Sequence, residues 1–179
     1  MSKVRTEFGF ERTECACEEC LQFCVSLPGS LIPADLEAIS ARLGYGDLVQ
    51  FAVENLLASP GAIVSDGKNL IRIPTLVPQR GPDGACKFLR DSRCSIHTQA
   101  PFSCAFFEAG QDQREADARS LRGLQAIARE WSTGGIYARL WTLLHSMGLV
   151  APSPIEARER MRRETQEKKK RADGAARKA

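Results

Sequence analysis

The 179-residue sequence predicts an α+β fold: a small metal-stapled domain of cysteine loops and short strands flanked by about four helices, with a basic C-terminal tail, helical or disordered. Three observations carry this. Helical periodicity appears in two segments before a central β-textured stretch and in two after it. All seven cysteines lie between Cys15 and Cys104, in two groups. The charge is unevenly divided, because residues 155–179 hold ten Lys and Arg against five acids while the chain as a whole carries only +3. The division expected is residues 1–151 as the cysteine-cluster domain with its helical cap, and 152–179 as a flexible tail, with Pro152 and Pro154 as hinge.

Composition bounds the class. With 43% hydrophobic and 26% charged residues the chain is globular, and no apolar run approaches the roughly 18 residues of a membrane helix. Residues 1–14 mix charged and apolar side chains without an apolar block, which predicts no secretory signal. A cytoplasmic location follows, where clustered thiols more often serve metals or redox chemistry than disulfides. Seven thiols also cannot all pair within one chain.

The elements follow in order. Pro33 opens a helix whose apolar stripe is Leu36, Ile39 and Leu43, stopped by Gly44. Asp47 caps a second helix, with Leu48, Phe51, Leu56 and Leu57 as its buried face and Pro60-Gly61 as its end. Short β-like runs come next, at Ala62–Ser65, Leu70–Leu76, Cys86–Leu89 and Cys94–His97. Turn signals separate them at Ser65-Asp66-Gly67, Gly81–Gly84 and Asp91-Ser92. Two further helices are expected at Arg114–Trp131, with a stripe of Leu121, Leu124, Ile127 or Ala128 and Trp131, and at Ile136–Met147. Gly134-Gly135 divides them. Beyond Ile155 the only large apolar residue is Met161, so the tail cannot bury enough surface to fold by itself.

The chemistry lies in the cysteines. The first group reads Cys15-Ala-Cys17-Glu-Glu-Cys20-Leu-Gln-Phe-Cys24, and its Cys17-x2-Cys20 unit has the spacing of a tight turn that brings two sulfurs to one ion. The second presents Cys86, Cys94 and Cys104 from separate segments, with His97 two residues beyond Cys94 as a further candidate ligand. One isolated cysteine is usually a small buried hydrophobe, but seven in two groups are not explained that way. Eight candidate ligands fit two four-coordinate sites, or one four-cysteine cluster with accessory thiols. The cofactor expected is therefore an iron–sulfur cluster or zinc, and spacing does not choose between them. Glu18 and Glu19 oppose thiolate formation in the first group, whereas Lys87 and Arg93 should favour it in the second. His145 falls within the apolar face of the last helix and is read as structural.

The ordered series Cys17, Cys20 and Cys24, Leu31 with Asp35, Cys86-Lys-Phe-Leu89, Cys94-Ser-Ile-His97 and Pro101-Phe-Ser-Cys104 resembles the zinc- or iron-chelating cysteine-cluster family (YkgJ-like). The resemblance spans about Cys15 to Phe107. It departs where Phe23 precedes Cys24 in place of a cysteine, where His97 replaces a tyrosine, and where Ala100 and Ala105 replace arginines. It implies metal or iron–sulfur binding, and through relatives linked to flagellin lysine N-methylation it supplies an enzyme alternative. The leading reading is a metal-binding protein in electron transfer, metal handling or scaffolding; no catalytic residue is assigned. A nucleic-acid module using Lys168–Arg171 is a third reading, disfavoured because no aromatics interleave the tail and the rest of the chain is slightly acidic. Trp131, Tyr137, Trp141 and Leu144 are read as core, with part of their face left open to a protein partner.

Overall fold

The computed structural model describes residues 18–65, 68–82, 84–106 and 111–153, together with 159, 163 and 166. The elements run α1 (Glu18–Ser26), α2 (Pro33–Arg42), α3 (Leu48–Asn55), β1 (Leu56–Ser65), β2 (Leu70–Pro78), β3 (Leu89–Arg90), β4 (Arg93–Cys94), α4 (Phe102–Ala105), α5 (Gln113–Thr133) and α6 (Ile136–Ser146). Two antiparallel two-stranded sheets, β1–β2 and β3–β4, make this an α+β fold. No helix among the described residues is long and apolar enough to cross a membrane. The expected turn at Asp66-Gly67 lies outside the described residues, as does the tail apart from an exposed Glu159–Arg163 pair one helical turn apart.

The core is one cluster between the β1–β2 ribbon and α2, α3, α5 and α6, built on Leu31, Leu36, Phe51, Leu76, Tyr137 and Leu144, all fully buried. α2 starts at Pro33, and Asp35 reaches back to the Ile32 N–H at 2.9 Å, satisfying one of the donors that a helix start leaves free. Leu36 and Ile39 are buried as expected. Leu43 is not: it forms the C-cap and is exposed, while Gly44 takes a positive φ of 79°. Asp47 caps α3 by accepting from Val49 N at 2.8 Å.

The second helix is shorter than its sequence predicts. It stops at Asn55, and Leu56 begins a ten-residue strand running through Pro60-Gly61. Pairing decides this. Ala58 exchanges backbone hydrogen bonds with Leu149 and Ala151 on one edge, and β1 pairs with β2 on the other. Those long-range bonds outweigh the helical preference of Leu-Leu-Ala. Pro60-Gly61 becomes a bulge between Ser59 and Ala62, with Gly61 at φ 79° and its N–H on Ser59 Oγ. A Cβ there would stand 1.8 Å from Ile73 O, so the bulge requires glycine.

α5 begins on Asp112, which caps Arg114 and Glu115, and ends at left-handed Gly134. Its buried face keeps most of the expected stripe, with Ile127 buried and Leu124 and Trp131 packed against the core, but not Leu121. Ala116, Gly123 and Ile127 are inside, while Leu121 is 48% exposed. The reason is Gly123: a Cβ there would meet the Phe102 ring at 2.4 Å, so α5 approaches along a face that hydrophobic counting does not score. On α6, Tyr137, Leu140 and Leu144 are buried, and His145 stacks on Trp141 at the surface. The tryptophans fasten the last two helices to the ribbon, Trp131 Nε1 donating to Pro74 O at 3.0 Å and Trp141 Nε1 to Ser59 O at 2.8 Å.

Tyr137 joins three segments. Its hydroxyl accepts from Leu76 N at 2.7 Å and donates to Leu31 O at 2.8 Å, fully buried. Burial pushes the phenol well above its ordinary range, and the nearby Asp35 charge adds to this. Tyr137→Phe leaves both backbone groups unpaired in the core, and each such group costs about 1–3 kcal/mol. The variant should unfold in urea about 2–4 kcal/mol below the wild type with an unchanged slope, whereas a loss under about 0.5 kcal/mol would contradict the bridging role.

Candidate functional site

Helix α1 begins at Glu18, inside the Cys17-x2-Cys20 unit, whose first cysteine lies outside the described residues. Cys20 and Cys24 stand one helical turn apart on it; Cys15 and Cys17 lie outside the described residues, and for Cys20 only the backbone is described. The helix is held at its C-terminal end. Arg80 donates through Nη2 to Ser26 O at 2.7 Å and through Nη1 to Gly84 O at 2.8 Å, placing a cation where the helix dipole is negative. The Cys86 N–H donates to Cys24 O at 2.7 Å, so the two cysteine groups are joined through backbone.

Cys86 follows a closed turn in which Gly81 N–H reaches Ala85 O and Gly84 adopts φ 82°. Its buried thiol accepts from the backbone N–H groups of Phe88 and Leu89. The chain then folds back as a two-residue hairpin, with Asp91 and Ser92 both at positive φ (49° and 58°), the backbone of a type I′ turn. This pairs Leu89 with Cys94 and brings the Cys94 thiol, half-buried, back beside Cys86.

Cys104 sits on the single turn α4. The Phe102 N–H at the start of that turn donates to Asp35 Oδ2 at 2.7 Å, the same oxygen that accepts from Ile32. Ser103 N–H donates to Ser30 O, and the two serine hydroxyls meet at 2.7 Å. These bonds press Gly29 against Cys104: its N–H donates to the thiol, and a Cβ on Gly29 would stand 2.7 Å from Sγ.

The result is convergence. Charge on any one of Cys24, Cys86, Cys94 and Cys104 acts on each of the other three. Four segments spread over 80 residues therefore bring their sulfurs into one neighbourhood. His97, expected at a strand end, lies instead in a half-buried 3-10 turn over 97–99. Among the described residues, no group of three His, Cys, Asp or Glu side chains is arranged as a ready metal cage. A groove of about 530 Å3 has Phe23, Gly29 and Ser103 in its wall, but none of the four cysteines lines it.

Burial governs the thiols' acidity. It pushes Cys86 up to about 12 against the opposing pull of the Phe88 and Leu89 amides, and raises Cys24 and Cys104 as well. The expected help from Lys87 does not appear at Cys86, because Lys87 turns outward and donates to Glu54 O. Gly29, Asp35 and Arg80 carry no spacing signal as positioning residues; Asp35 entered only through the family resemblance.

Two outcomes follow. In metal-free protein the raised thiol pKa values favour the protonated folded state. Their contribution is fully present below the ordinary thiol value of 9.0 and is lost as pH rises towards 12. Urea midpoints of metal-free protein should hold steady from pH 7 to 8.5 and fall from pH 9 upward, and a midpoint that rises above pH 9 would contradict the assignment. Gly29→Ala should destabilise the chain by about 1–3 kcal/mol through overpacking against Cys104, measured by the same unfolding curves.

No protein-family model, curated protein or solved structure matches the chain.

Proposed function

We propose that this chain is a metal-binding protein whose clustered cysteines hold zinc or an iron–sulfur cluster. The observation that carries the reading is the mutual proximity of Cys24, Cys86, Cys94 and Cys104, delivered by a helix, a turn, a hairpin and a single helical turn. Nothing about packing alone requires thiols from four segments to share one neighbourhood. Proximity is unfavourable for thiolates, since each raises the pKa of its neighbours, unless a cation neutralises them.

The donor set fits such an ion. Thiolate sulfur is a soft ligand that selects zinc and iron–sulfur clusters over hard cations. Backbone N–H groups already point at two of the sulfurs, from Phe88 and Leu89 to Cys86 and from Gly29 to Cys104, the outer contacts that stabilise a bound thiolate. Cys15, Cys17 and Cys20 extend the set, through a second site or as accessory ligands, as does His97. The metal would add cohesion between segments that also meet in the core through Phe88, Ile96 and Phe102; as iron–sulfur it would supply electron transfer as well.

The deciding measurement is the metal and sulfide content of protein purified without oxygen. Bound zinc or iron is expected, together with loss of at least half of it in Cys86→Ser and in Cys24→Ser. Chelation should lower the melting temperature steeply, because a structural zinc can contribute on the order of 10 kcal/mol. Protein purified without oxygen that holds neither zinc nor iron and still shows a native circular dichroism spectrum would sink the proposal.

A further inference from the structure

On the far side of the β3–β4 hairpin a cavity of about 350 Å3 opens between the end of α2, the following loop and the hairpin itself. Three cations line it, Arg42, Lys87 and Arg90, with Phe88 and Ile96 as buried apolar wall. Among the described residues no carboxylate lines it. The adjacent acid, Glu54, has its oxygens on the Tyr45 hydroxyl at 2.7 Å and the Gln50 amide at 3.0 Å, and it offsets part of the charge of Lys87, whose ammonium donates to the Glu54 carbonyl. The guanidiniums of Arg42 and Arg90 have no acceptor among the described residues.

A lone surface arginine in water needs no explanation, but this arrangement goes further. Three like charges around one concavity repel one another, and the field is focused by low-dielectric walls. Asn55, only 3% exposed, also lines the cavity and uses one amide hydrogen, to Phe51 O at 3.0 Å. The rest of its hydrogen-bonding capacity has no partner among the described residues. A buried, half-paired amide beside three cations calls for a polar, anionic partner.

We propose that this cavity binds a phosphate-bearing small molecule of about sugar-phosphate size. Arg42 and Arg90 offer the planar forks that match phosphate oxygens, and Lys87 adds a third charge. Asn55 lines the cavity with its half-paired amide, and the Tyr45 and Ser95 hydroxyls, which donate to Glu54 and to Phe88 O, can accept from an attached hydroxylated body. The volume lies at the small end of ligand pockets, which suits such a molecule better than a dinucleotide. This site is independent of whether the cysteines hold metal, although both use the hairpin.

Ribose 5-phosphate, titrated calorimetrically into the full chain at fixed ionic strength, should bind saturably. Arg42→Ala and Arg90→Ala should each weaken binding at least tenfold with circular dichroism unchanged, while Arg114→Ala, exposed on α5, should not. An equal heat from sodium chloride, or undiminished binding in both cavity variants, overturns the proposal. So does a single-stranded oligonucleotide that binds more tightly than ribose 5-phosphate through the same arginines, since the phosphates would then belong to a polymer backbone.

Discussion

Asp35 holds the two halves of the molecule in register. One oxygen of its buried carboxylate accepts from Ile32 N and from Phe102 N, residues 70 apart in sequence, and so starts α2 and α4 together. Beside it the Tyr137 hydroxyl links Leu31 to Leu76, drawing α6 and β2 to the same point. A carboxylate out of water is tolerable only where hydrogen bonds replace its hydration, and here two backbone amides do so. Because those amides belong to different segments, the requirement to satisfy the charge also fixes where Cys104 stands.

From that point the thiol neighbourhood follows by short steps. Phe102 is seated against Gly123 of α5, which orients α4 and turns Cys104 towards Gly29. Gly29 precedes the Leu31 strand-like contact with Leu76, and Arg80 beyond β2 clamps the end of α1 that carries Cys24. Hydrophobic burial supplies the energy of this core, but directional polar contacts choose the arrangement. The hairpin then serves two faces: Cys86 and Cys94 turn towards the other thiols, while Lys87, Arg90 and Ser95 line the basic cavity.

Much of the fold was legible in local chemistry. Pro33, Asp47 and Gly134 mark helix ends by mechanisms that need no partner, and Asp91-Ser92 marks a turn for the same reason. Cys86, Cys94 and Cys104 stood out as one group by position, with Cys24 assigned to the other group around Cys17-x2-Cys20. The limits were equally physical. Leu56 and Leu57 read as helix until β2 and Leu149 offered backbone partners, and Leu121 read as core until Gly123 set the angle of α5. The basic cavity was invisible because Arg42 and Arg90 are 48 residues apart and each is unremarkable alone.

The sequence by itself determined the α+β class, the helix boundaries written in capping residues, and the concentration of thiols into two groups. These depend on neighbours within a few positions, where chain connectivity already supplies proximity. Only the tertiary structure decided that Cys24, Cys86, Cys94 and Cys104 share a neighbourhood, that Cys20 and Cys24 ride on a helix, and that three cations surround one cavity. Contacts between distant segments require loop closure against entropy, and which of them form is settled by the whole core and by the buried Asp35 and Tyr137 bonds, not by any local pattern.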